Sequence, residues 1–134
     1  MLKLEIPNAI FKQMLAQAKA EAPVEACGIL AGKDGTVEKF CEMTNADQSN
    51  DHFTLAPEEQ FKAVKDIRAA ELEMLAIYHS HPESPARPSV EDIRLAFTPN
   101  TIYVIISLKE AVPVVKGFLL EDENVTAVLV KVKE

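Results

Sequence analysis

Apolar and charged residues alternate from Leu2 to Ile6, the period of a short strand with one buried face. The period then lengthens. Ile10, Phe11, Met14, Leu15 and Ala18 fall on one face of a helix over 7–20, with Pro7 near its start. Ala26 to Ala31 is a short apolar run closed by Gly32 and the Asp34-Gly35 turn signal, and with Val37 to Met43 it predicts a hairpin. Thr44 to Asp51 is polar and loop-like, and His52 to Leu55 predicts a short extended segment. Pro57 to Glu71 repeats Phe61, Val64 and Ile67 at helical spacing, a stripe this pattern assigns to the core, while Glu58 and Glu59 suit the dipole of its first turn. Leu72 to His81 reads as a buried strand, Pro82 to Pro88 as a loop, and Ser89 to Phe97 as a third helix stopped before Pro99. Ile102 to Leu108, Val114 to Leu120 and Val125 to Val132 are three more strands, the last two turning at Glu121 to Asn124. Strands interleaved with about three helices predict an α/β (α+β) fold, a mixed central β-sheet flanked by those helices. With no repeat, linker or low-complexity tract, residues 1–134 are expected to form one domain.

Composition narrows the function classes. Fourteen Lys and Arg against 21 Asp and Glu give a net charge of −7, and no basic run offers charges to neutralise phosphates, so nucleic acid is not an expected partner. No apolar run approaches the ~18 residues that span a bilayer, so no membrane association is expected. Met1-Leu2-Lys3-Leu4-Glu5 does not open a signal peptide, which makes a cytoplasmic location the expectation. Cys27 and Cys41 form no C-x-x-C motif and are too few for a disulfide framework. Reduced, structural thiols are the simplest account, Cys27 as a small buried residue.

The chemistry concentrates in His79-Ser80-His81-Pro82. If these residues end a strand, His79 and His81 point to the same face, and Pro82, lacking a donor, stops the ladder. Asp92 follows thirteen positions after His79. Two imidazoles and a carboxylate suit zinc, and three protein ligands leave a fourth position for water. An isolated H-x-H is more often a pair of strand histidines; the flanking residues change that balance. Ser89-Val90-Glu91-Asp92 has the spacing of a capping box, which places Asp92 in a first helical turn beside Ser89, near the strand end. Glu83 and Glu91 are competing carboxylates by spacing. Pro82, Pro85 and Pro88 stiffen the intervening loop, which also fits a P-x-x-P-x-R ligand for SH3-type domains over 82–87. A zinc hydrolase needs a general base, and the residues alone leave Glu5, Glu21, Glu25 and other carboxylates open, Glu25 standing just before the apolar run of 26–31. His52 is a surface histidine that borders any cleft at the extended segment.

Glu25-Ala26-Cys27-Gly28, His79-Ser80-His81-Pro82, Pro88-Ser89 and Asp92 together resemble the JAMM (MPN+) zinc metalloprotease family, in its stand-alone prokaryotic form. The resemblance implies a JAMM/MPN-like (cytidine-deaminase-like) architecture and one Zn2+ per chain on His79, His81 and Asp92. It implies Glu25 as general base and acid, and Ser89 steadying the oxyanion of a tetrahedral intermediate. No His follows His81 and no Cys follows Cys41, so a second zinc site of the kind some relatives carry is not expected. The implied substrate is a ubiquitin-like or sulfur-carrier protein with a Gly-Gly tail, cleaved after the second glycine. Such a tail would add as a strand at a sheet edge, with Ile102 to Leu108 bordering the groove. Net charge supplies no steering toward an acidic carrier. Alternatives are a zinc peptidase on short or cell-wall peptides and a non-catalytic MPN-type protein-binding module, the latter disfavoured by the intact Glu, His, His, Ser and Asp set. A DNA-repair-associated branch shares the H-x-H-P core, and the charge of −7 stands against it. The oligomeric state, the carrier and the residue released are not fixed by sequence.

Overall fold

Residues 3–96 and 100–134 are described by the computed structural model. They form β1 (Lys3–Pro7), α1 (Asn8–Glu21), β2 (Cys27–Lys33), β3 (Thr36–Met43), α2 (Pro57–Ala69), β4 (Glu73–His81), α3 (Val90–Arg94), β5 (Ile102–Ser107), β6 (Val114–Glu121) and β7 (Asn124–Lys133). The mixed sheet and the three helices agree with the sequence pattern. One feature exceeds it: the strands run β1-β3-β2-β4-β5-β6-β7 and close into a barrel through a parallel β7–β1 seam. β5 is therefore paired on both sides, parallel to β4 and antiparallel to β6, and offers no edge to a substrate tail. Strand addition at Ile102 to Leu108 is thereby ruled out, and β5 borders the cavity beside Asp92 only through a side chain, that of Tyr103.

Strand alternation sorts the core into two faces. Leu30, Tyr78, Val104 and Ile106 point one way and pack with Leu4, Ile6, Val37 and Met14 of α1. The Tyr78 hydroxyl, wholly buried, satisfies itself by donating to the Met14 carbonyl at 3.0 Å. Their neighbours in sequence face the other way. There Cys27, Ile29 and Ala31 meet Ala63 and Ile67 of α2, while Ile77, Tyr103 and Ile105 meet Ile93 of α3. His79 and His81 share the parity of Ile77, so the second face carries the chemistry. At Gly28 the backbone of β3 comes so close that a Cβ would stand 2.8 Å from the Cys41 carbonyl oxygen, which only glycine permits.

Several boundaries and one face differ from the sequence pattern. Pro7 closes β1 and α1 begins at Asn8. α3 ends at Arg94, well short of the expected 97; Leu2, Phe97 and Pro99 lie outside the described residues. In α2 the buried face is Ala63 and Ile67, whereas Phe61 is 68% exposed and Val64 is 37% exposed. The reason is angular. At about 100° per residue, a repeat of three slips by about 60° each step, so Phe61 and Ile67 stand about 120° apart. Ala63 and Ile67, four apart, stay nearly aligned. Phe61 lies instead under the Lys65 ammonium, 5.5 Å from its ring centre.

Candidate active site

Register brings the distant carboxylate to the histidines. β2 and β4 pair antiparallel with Cys27 opposite His79, the last rung of their ladder. Glu25, two residues before Cys27, is thereby carried to the level of His81 on the same face. Asp92 arrives from the other side on α3. Ser89 caps that helix: its Oγ accepts from the Asp92 backbone N–H at 3.0 Å, and Asp92 Oδ2 accepts from the Ser89 N–H at 2.9 Å. This capping box fixes the Asp92 rotamer, and the same carboxylate reaches both histidines.

Three donor groups converge. His79 Nε2 lies 3.1 Å from His81 Nε2 and 3.2 Å from Asp92 Oδ1, and His81 Nε2 lies 3.0 Å from Asp92 Oδ2. His81 Nδ1 stands 2.8 Å from the Pro85 carbonyl oxygen, which can only accept, so Nδ1 holds the proton and a neutral ring turns a lone pair on Nε2 toward the other donors. Lone pairs and a carboxylate oxygen pointed at one spot repel unless a cation sits among them. Bonds of about 2.0–2.1 Å in a tetrahedral arrangement place donors about 3.3 Å apart, close to the separations found, so the set fits Zn2+. Among the described residues His79, His81 and Asp92 are the one group of three or more metal-ligating side chains with ligand atoms so placed.

Burial shapes the proton affinities. Glu25 is only 2% exposed, and desolvation pushes its carboxyl up to about 7 against the opposing pull of His81, with Asp92 adding to the rise. With no cation among the three groups, burial acts against ionisation of Asp92, yet Nε2–H groups of His79 and His81 donating to it hold its carboxyl well below the usual carboxylate range; a bound metal would replace those Nε2 protons. Burial lowers His79. It works the same way on His81, where the Asp92 hydrogen bond and the Pro85 carbonyl prevail and raise it.

The wall beside the triad is apolar. Phe53 stacks on His79 with ring centres 4.6 Å apart and planes at 23°. From His79 and Asp92 a cavity of about 220 Å³ extends between Phe53, Ile77, Leu95 and Tyr103. His52 stands at its margin, held between Asp51 at 2.8 Å and Asp47 at 3.2 Å; the Asp51 hydrogen bond raises its pKa.

The structure thus brings Glu25, His79, His81, Ser89 and Asp92 together and leaves the competitors outside. Glu83 is exposed, Glu91 pairs with Arg94 at 2.8 Å, and Glu5 pairs with Lys3 at 2.7 Å. The Cys27 thiol is fully buried and pushed up to about 12 by desolvation, so it stays protonated and inert. The proline loop is bound to the fold through the Pro85 carbonyl and through the Ser84 carbonyl, which accepts from the Ser107 hydroxyl at 2.6 Å; Ala86 is buried. It is not free to enter an SH3-type groove. Spacing gave no sign of the stacking role of Phe53 or of the buried Asn45, both in a stretch legible only as polar loop and extended segment.

Comparison with known proteins places the arrangement. Residues 7–118 match the model of prokaryotic homologs of the JAB domain. The CysO-cysteine peptidase of Mycobacterium tuberculosis is 36% identical over 111 residues, covering 81% of this chain and 73% of the relative. A probable TtuB-protein conjugate cleaving protease of Thermus thermophilus is 35% identical, covering 96% and 84%. The desampylase of Pyrococcus furiosus is 31% identical, covering 90% and 84%. Among solved structures, a Desulfitobacterium hafniense protein superposes with a TM-score of 0.90 at 45% identity, over 98% of this chain and 93% of its own. A structure described as the JAMM metalloprotease-like zinc site in the proteasome and signalosome superposes with a TM-score of 0.61 at 19% identity, over 98% of both chains, a likeness of fold alone.

Proposed function

The chain belongs to the family of prokaryotic JAB-domain homologs, and on that premise we propose that it is a zinc metallopeptidase acting on a ubiquitin-like carrier protein. The bond cleaved is the peptide or isopeptide-type bond after the carrier's C-terminal Gly-Gly. His79, His81 and Asp92 hold the metal, Glu25 is general base and acid, and Ser89 is the oxyanion donor. The observation that carries the reading is the convergence of three metal-suited donors at 3.0–3.2 Å, with a desolvated glutamate on the same face. The relatives named for CysO-cysteine and TtuB conjugates support the substrate class.

When bound, zinc polarises a carbonyl and lowers the pKa of a water to ~7. Glu25, with a proton affinity near neutrality, takes a proton from the attacking water and returns it to the departing amine. The new C–O bond forms at the glycine carbonyl, the C–N bond breaks, and the carboxylate is restored. The Ser89 hydroxyl accepts from the Asp92 N–H, which leaves its own proton to donate to the oxyanion. The Pro85 carbonyl holds the His81 ring in its metal-facing tautomer.

The test pairs zinc content with cleavage. Wild type and Glu25→Gln are expected to hold about one zinc, His79→Ala and Asp92→Ala little, and only wild type to cut a Gly-Gly-X carrier tail while sparing free dipeptides. Stoichiometric zinc with no cleavage of any such tail would remove the carrier as substrate. Zinc-free wild type would favour the binding-module reading.

A further inference from the structure

Glu25 stands outside the β2–β4 ladder, whose last rung is Cys27 with His79, and its buried Oε1 has no hydrogen-bond partner among the described residues. Its aim therefore depends on what holds its backbone. The carbonyl of the Glu25–Ala26 peptide accepts from Asn45 Nδ2 at 3.1 Å, and the N–H of the same peptide donates to Ser80 Oγ at 2.7 Å. The Ser80 N–H returns to the Ala26 carbonyl at 2.9 Å. Both side chains are fully buried (0% exposed), and polar groups at such positions are retained only where their hydrogen bonds are made.

Asn45 reaches further. Its Nδ2 also donates to the carbonyls of His52 at 3.0 Å and Ser49 at 3.4 Å, and its Oδ1 accepts from the backbone N–H groups of Asp47 at 3.0 Å and Thr54 at 3.2 Å. Ser49 closes the circuit by accepting the Glu25 N–H at 2.8 Å. One buried amide thus joins the peptide of the glutamate to the segment that carries Phe53 onto His79 and lines the cavity. Ser80, between the two histidines, joins the same peptide to the strand of the metal ligands.

We propose that Asn45 and Ser80 are positioning residues for Glu25, a pair of side chains that clamps the Glu25–Ala26 peptide from both sides. Through them the base is fixed at once to the ligand strand and to the cavity wall. The inference rests on the peptidase reading above.

The experiment uses the zinc-loaded full chain and a purified ubiquitin-like carrier domain whose Gly-Gly tail bears one further residue. Asn45→Asp keeps the side-chain size and removes every amide donor; Ser80→Ala removes the hydroxyl, and Ser80→Thr keeps it. Asn45→Asp and Ser80→Ala are expected to retain wild-type zinc content and KM while kcat per bound zinc falls about a hundredfold, the cost of a misplaced catalytic group. Ser80→Thr is expected to restore most of it. A merely structural role would lower the melting temperature and leave kcat per bound zinc unchanged, and that result overturns the proposal. If Asn45→Asp does not fold, the Ser80→Ala and Ser80→Thr pair decides by the same readout. Wild type that cuts no such tail overturns the peptidase reading and the positioning role with it. Wild-type cleavage with undiminished variants overturns the positioning role alone.

Discussion

Replacing Glu25 with glutamine is expected to stabilise the metal-free protein at neutral and alkaline pH while ending its activity. Folding moves the carboxyl from its ordinary 4.5 to about 7 through desolvation. Below pH 4.5 both folded and unfolded chains hold the proton and the residue is neutral to stability. Between 4.5 and about 7 the unfolded chain ionises first, so stability falls as pH rises, and above 7 the loss is complete. Each tenfold in proton affinity is about 1.4 kcal/mol, so burying this glutamate costs about 3 kcal/mol at pH 8. Glutamine has the same shape and no charge to desolvate. For a chain of this size 3 kcal/mol corresponds to about 10 °C in melting temperature. Thermal melts of wild type and Glu25→Gln with chelator at pH 8 and pH 5 give the answer by difference, because the titrating groups away from the site are common to both. The gain should approach 3 kcal/mol at pH 8 and shrink below about 1 kcal/mol at pH 5. Equal melting at pH 8, or the same gain at both pH values, would refute the desolvation argument.

Other expectations follow from the same geometry. Zinc at about a thousandfold over its Kd should stabilise wild type by about 4 kcal/mol in calorimetry, and Asp92→Asn should lose most of that gain. Ser89→Ala should cost about 1 kcal/mol of stability from the lost helix cap and lower kcat about a hundredfold. Ser89→Gly separates the two, since glycine keeps most of the cap and no hydroxyl: denaturant midpoint near wild type, kcat still low. Ile67→Ala should cost about 2–5 kcal/mol in urea unfolding and Phe61→Ala less than about 0.5 kcal/mol, as the observed face of α2 requires.

How much was readable in the chain depends on how local each signal is. His79 and His81 face the same way because strand residues two apart always do, and Asp92 is presented by a cap whose two halves are three residues apart. Glu25 is one of several candidate glutamates by residue type, marked only by its position before an apolar run, because its place by His81 is made by strand pairing across half the chain. Only the family motif singled it out. Asn45 was illegible for the same reason: an asparagine in a polar stretch looks like a turn residue until the carbonyls of Glu25 and His52 are brought to it. The inward face of α2 failed differently. Large apolar residues at 61, 64 and 67 outweighed a small one at 63 in the pattern, yet the helix approaches the sheet through the alanine.

The closed ring also sets an order of assembly. Its seam joins β1 to β7, Lys3 opposite Leu129 through Pro7 opposite Lys133, so no part of it forms until β7 has left the ribosome. Until then β1 has a single residue pair to β3 and an open flank. Contacts so distant in sequence are the slow ones. The proposed metal ligands, with Glu25 and Ser89, all lie between residues 25 and 92, so they are already synthesised while the barrel still stands open.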